Sequence, residues 1–176
     1  MRKVLLTSVA ALLALGVAAS AQQPAPAPAA PAQPSAAPPP PPDYGTPMTL
    51  EQAKKAVAAA EEEAKKNNWG MNIAAVGPSG DLIHFSRMDN AQFASIVISQ
   101  HKAKTAATFR RPTKAFQDAM AANAANVYLV TLDGVIASEG GIPVVAGGKI
   151  IGALGCSGGT SAQDGQVCQA GVNALK

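Results

Sequence analysis

The sequence predicts an α+β layered domain, a mainly antiparallel sheet flanked by helices, and three observations carry that prediction. The elements read in the order helix, two strands, two helices, several short strands, helix. Short apolar runs are joined in pairs by Gly/Pro turns, as consecutive hairpins require. The chain does not show the strict strand–helix alternation of a doubly wound parallel sheet.

Thr49 to Lys66 is the plainest helix. Thr49 and Gln52 form a capping box, and Leu50, Ala53, Val57, Ala60 and Ala64 recur at helical spacing. Glu61 with Lys65 and Glu62 with Lys66 add i, i+4 pairs, and Asn67, Asn68 and Gly70 end the run. Met71–Val76 and Asp81–Met88 are two strands joined by the turn Gly77-Pro78-Ser79-Gly80. Strict alternation in the second strand puts Leu82, His84 and Ser86 on one face and Ile83, Phe85 and Arg87 on the other.

Ser95 to Thr113 follows as the central helix, with an apolar stripe at Ile96, Val97, Ala103 and Ala107 and a stop at Pro112. A further helix is expected over Thr113–Ala122, capped by Thr113. Eleven of the sixteen glycines then fall between Gly134 and Gly171. That density predicts short strands near Val127–Thr131, Val135–Ala137, Pro143–Ala146 and Lys149–Cys156, with Gly147-Gly148 as a tight turn. A last helix, Ser161 to Leu175, has Thr160 as its cap.

Ahead of this domain, Met1 to Ala21 has the charged start, apolar core and small-x-small ending of a secretory leader. The apolar run is too short for a comfortable membrane span, so the chain is expected to be exported, to a periplasm or beyond the cell, with no span left after cleavage. Residues 22–47 hold eleven of the fourteen prolines and read as an extended linker. Residues 48–176 are then one domain. Without the leader, 12 basic residues face 11 acidic ones, leaving a net charge of +1. That balance, with few aromatics, argues against nucleic-acid binding.

The central helix and its loop gather His101, Lys102, Lys104, Arg110, Arg111 and Lys114 with no acidic residue among them. Such a cluster is either a solvated face or a site for a carboxylate or phosphate ligand. Gly155-Cys156-Ser157-Gly158-Gly159 fits the G-x-S-x-G pattern of serine hydrolases, but no histidine follows Ser157, as that fold's order demands. Its glycines read instead as a tight turn whose amides suit an anion. His84, His101, Cys156 and Cys168 lack the spacing of a closed zinc site. Cys156 and Cys168 are either a disulfide, which needs the last helix folded back over its strand, or two buried thiols. His84, between apolar neighbours, reads as a half-buried strand residue, whereas His101 lies off the apolar stripe, more open to a ligand.

Several runs resemble the GlcG/HbpS family of small haem-binding proteins. They are Thr49-Leu50-Glu51-Gln52-Ala53-Lys54, Lys102-Ala103-Lys104-Thr105-Ala106-Ala107-Thr108-Phe109-Arg110-Arg111-Pro112-Thr113, Gly140-Gly141-Ile142-Pro143-Val144 and Ile151-Gly152-Ala153-Leu154-Gly155-Cys156-Ser157-Gly158-Gly159, with Asp164 after them. The resemblance spans residues 48–176. It implies a profilin-like domain, a homo-oligomer and a tetrapyrrole ligand, haem or in some relatives a cobalamin; some members degrade haem or partner a membrane sensor. On that reading His101 or His84 ligates the iron, while Lys102, Lys104 and Arg110 face the propionates and Thr105 sits at a motif position. The alternatives are an enzyme acting on haem or a small carboxylate, and a ligand-free interaction module.

Overall fold

The computed structural model describes residues 39–176. The expected leader and most of the Pro/Ala tract lie outside the described residues. Four strands, β1 (Asn72–Val76), β2 (Leu82–Arg87), β3 (Gly141–Ala146) and β4 (Lys149–Ser157), form one antiparallel sheet in the order β2-β1-β4-β3. Both hairpins expected from the turns are present, and Gly147 and Gly148 join β3 to β4 with φ of 55° and 73°. A turn of that left-handed form continues the twist of the two strands.

Two helices cover one face of the sheet. α1 (Leu50–Lys66) starts at the Thr49/Gln52 capping box, and α4 (Ser161–Asn173) starts at a second one, Thr160/Gln163. Together with Met71, Ile73, Ala75 and Leu154 they bury Ala53, Val57, Ala60, Ala64, Val167 and Cys168. The ion pairs along α1 fall at i, i+3 rather than i, i+4: Lys65 meets Glu62 at 2.9 Å and Lys66 meets Glu63 at 3.8 Å.

The opposite face carries α2 (Ala94–Thr108), whose Ala103, Ala106 and Ala107 close on Ala74, Val76 and Ala153. Here the apolar stripe read from the sequence is half wrong. Val97 is exposed, whereas Ser95, Ser99, Lys102 and Thr105 are buried. The reason is the floor beneath the helix: a Cβ on Gly155 would meet Ser99 O and Ala103 N. A helix that lies this close to a strand buries small and hydrogen-bonded residues rather than its largest apolar ones.

Three further expectations are corrected. α2 stops at Thr108, not at Pro112, because Arg110 turns left-handed at φ 55° ahead of the proline. Residues Ala124–Thr131 form a 3-10 helix, begun by Ala125 N donating to the Asn123 side chain, and Val135–Ala137 is no strand. Their β-formers pair with neither edge strand, and Val127, Tyr128 and Val130 stay exposed. In β2, a bulge opposite Ala75/Val76 breaks the alternation. Ile83 therefore packs toward the α1/α4 cluster and Phe85 toward the α2 cluster.

The end of the proline-rich stretch is part of the fold. Asp43 O accepts from Ile150 N at 2.8 Å, Gly45 N donates to Ile150 O at 2.8 Å, and Met48 N donates to Ile151 O at 2.7 Å. These bonds lay residues 43–48 alongside β4. The Tyr44 hydroxyl then donates to Thr108 O at 2.8 Å, tying the same strap to the end of α2.

Candidate functional site

The basic run on α2 divides between the interior and the surface. Lys102 is interior: its Nζ donates to Asp164 Oδ2 at 2.7 Å and to Glu139 O at 2.6 Å, and both charged side chains are buried. Asp164 Oδ1 accepts from Gly158 N at 3.0 Å and Gly159 N at 2.9 Å. The glycine turn does hold an anion, and the anion is the chain's own carboxylate. Burial raises the Asp164 carboxyl above its ordinary value, and Lys102 with the two glycine amides opposes the rise.

The motif glycines make this knot feasible. A Cβ on Gly140 would lie 2.6 Å from Cys156 O, 2.8 Å from Asp164 Cβ and 2.9 Å from Lys102 Nζ. Thr113, which does not cap the helix it precedes, accepts instead from Gly141 N at 2.9 Å and so locks the start of α3 (Lys114–Ala122) to β3. Thr105 Oγ1 accepts from Ile136 N at 3.1 Å and donates to Gly134 O at 3.2 Å, bracing the loop ahead of β3. Lys102 and Thr105, expected at the ligand, are structural in this fold.

The remaining candidates separate. Lys104 is exposed on α2, its stem against Gly80 in the β1–β2 turn. His101 is half-buried on α2, and His84 is half-buried on β2 opposite Ala75. Neither histidine lines any of the clefts described below. Cys156 and Cys168 are free thiols in the core; burial pushes the Cys156 thiol well up, with Cys168 adding to the rise. Ser157 is buried and donates to Ser95 Oγ at 2.9 Å, so it is no exposed nucleophile.

Of the predicted ligand residues, Arg110 borders a groove among the described residues. That groove, of about 250 Å³, runs between the Phe109–Thr113 turn and the β3–β4 hairpin, walled by Ile142, Pro143, Val145 and Ile150. Pro112 and Ile142 continue it into a smaller pocket of about 180 Å³ that reaches Lys114 and Gln169. The Arg110 guanidinium stands 5.5 Å from the Tyr44 ring centre and 4.0 Å from Asp43. Lys114 is already engaged by Asp118 at 2.7 and 2.8 Å. The apolar wall was legible only as the Gly140-Gly141-Ile142-Pro143-Val144 run; nothing in its spacing marked it as a cleft.

Comparison with known proteins agrees with this architecture. The family model described as "Haem degrading protein HbpS-like" matches residues 48–173. Protein GlcG of Escherichia coli strain K12 is 43% identical over 110 residues, covering 62% of this chain and 81% of that protein. Among solved structures, protein ORFY of Klebsiella pneumoniae superposes with a TM-score of 0.71 at 29% identity, over 76% of this chain and 93% of that one. A double mutant of HbpS from Streptomyces reticuli gives 0.70 at 30% identity, over 76% and 90%. A PduOC structure described as a haem complex shares the fold, with a TM-score of 0.68 at 24% identity, over 74% and 96%. With the family model running from the residue before the α1 cap to the last residue of α4, the chain belongs to the HbpS-like family.

Proposed function

We propose that this chain is an exported tetrapyrrole-binding protein, with haem the first ligand to test, seated along the groove between the Phe109–Thr113 turn and β3. One observation carries the reading: an apolar wall and a single guanidinium border the same groove. A porphyrin edge presents the matching pair of chemistries, an apolar plane and carboxylates. The description of the family, which names haem degradation, supports the same ligand class.

The groove is smaller than the roughly 300 Å³ at which sites that enclose a small molecule begin, so it suits one edge of a porphyrin rather than the whole. Its residues fit the ring and a propionate, but they include no iron ligand. Bound haem would supply a redox-active iron; this chain's part is to hold the ring edge and to pair one propionate with Arg110. His84 and His101 of the same chain do not line the groove. Export rests on the leader at residues 1–21. Assembly into a homo-oligomer belongs to the same reading, and exposed Phe93, just ahead of α2, and Val97 on α2 are surface that assembly would cover.

The test is a haemin titration followed by absorbance. Arg110→Gly keeps the left-handed backbone and removes the guanidinium. We expect saturation near one haem per chain, weakened about ten- to hundredfold in that variant, as loss of a charged hydrogen bond implies. His84→Ala and His101→Ala should keep the wild-type spectrum. A featureless titration overturns the function, and a spectrum altered in one histidine variant moves the seat to that histidine.

A second reading, haem breakdown, is favoured by the wording of the family description. Time-dependent loss of the haem band with a reductant, together with recovery of an opened tetrapyrrole, would establish it; a stable band would remove it.

A further inference from the structure

A second cleft, of about 580 Å³, lies where the end of α1 meets the β1–β2 strand ends, and it shares no lining residue with the Arg110 groove. It is within the size range of small-molecule sites. Its chemistry is unlike that of the groove. Its lining includes the Trp69 indole, the amides of Asn68, Asn90 and Gln92, and the Asp89 carboxylate. Lys65 is the one cation in its lining, and Glu62 already holds that ammonium at 2.9 Å.

Two of the three described non-glycine residues with left-handed backbone, Asn68 at φ 57° and Asn90 at φ 61°, sit in this lining. Their side-chain amides are thereby presented from tight turns. Behind them the base is braced: buried Asn72 donates from Nδ2 to Gln92 O at 3.2 Å, and Gln92 Nε2 donates to Ser95 Oγ at 2.7 Å. Gly158 closes the floor, since a Cβ there would run into Gly70 O and sit 3.0 Å from Met71 Cα.

We propose that this cleft binds a neutral saccharide. Amides both donate and accept, as hydroxyl groups do, and an indole face packs against the C–H face of a sugar ring. An anionic ligand would meet the Asp89 carboxylate, and the one cation in the lining, Lys65, is shared with Glu62. A purely apolar ligand would strand the Asn68 and Asn90 amides.

Trp69 is the sole tryptophan of the chain, so indole fluorescence, excited where tyrosine is silent, reads this cleft alone. The full-length chain is titrated, without haem, with maltose, cellobiose and N,N′-diacetylchitobiose, and with citrate as the anionic probe. We expect a saturable shift with at least one disaccharide and none with citrate. Asn68→Gly and Asn90→Gly keep the left-handed turns and remove one amide each; either should weaken that response about three- to tenfold, with an unchanged circular dichroism spectrum. A response to citrate alone, no response to any disaccharide, or full affinity in both variants overturns the proposal. None of these outcomes bears on the Arg110 groove.

Discussion

At the scale of single residues, the Lys102–Asp164 pair organises the domain. It joins α2 to α4 across the end of the sheet, and its remaining hydrogen bonds reach Glu139, Gly158 and Gly159. Asp164→Ala strips the buried ammonium and the Gly158 and Gly159 amides of their acceptor and should cost about 3–5 kcal/mol, measured by urea denaturation. Lys102→Met combined with Asp164→Leu should cost less than the two single changes added together, because neither charge is then left alone. Strict additivity would mean that the two side chains do not interact.

The same pair sets a pH dependence. The folded Asp164 carboxyl holds its proton more tightly than the unfolded one, whose ordinary value is 3.8. The stability linked to it is therefore complete below that value and is lost as pH rises through the raised, folded value. Lys102→Met removes the cation that opposes the rise, so the loss should grow and extend upward. Thermal melts of both proteins between about pH 4 and pH 8 decide this, and parallel curves would sink the assignment.

At the scale of elements, α2 shows where patterning works and where it fails. Its existence follows from a long run without proline or glycine, but its orientation does not follow from apolarity. The face turned inward carries Ser95, Ser99, Lys102 and Thr105, which a hydrophobic stripe excludes by construction. What places that face is Gly155 on β4, where backbone and helix come into contact. Gly155→Ala should lower stability by about 1–3 kcal/mol in the same urea measurement, since α2 must lift to admit one methyl group. A neutral effect would contradict the close packing of α2 on β4.

At the scale of the whole molecule, the architecture was legible because its signals are local. Capping boxes at Thr49 and Thr160 and the turns at Gly77–Gly80 and Gly147-Gly148 each fix one element end or one pairing. The site was less legible because it is made of distant neighbours. Lys102 and Asp164 are 62 positions apart, and nothing in one run tells a buried lysine from a solvated one. Of the five basic side chains in that cluster, Lys102 is buried in an ion pair, Lys104 lies over a turn, and Arg110 borders the groove. Resemblance found the motif residues; only the three-dimensional arrangement separated those that hold the fold from those that face outward.

The strap at residues 43–48 gives the domain a mechanical property. Its three backbone bonds to Ile150 and Ile151 run beside β4 with the chain parallel to that strand. A pull along the strand from upstream of Pro39 loads those bonds together, in shear, before it reaches the core. Pro42 walls the apolar groove and its carbonyl accepts from Arg110 Nη1 at 3.5 Å. A load entering at Pro39 therefore meets that groove wall first, ahead of the three strap bonds.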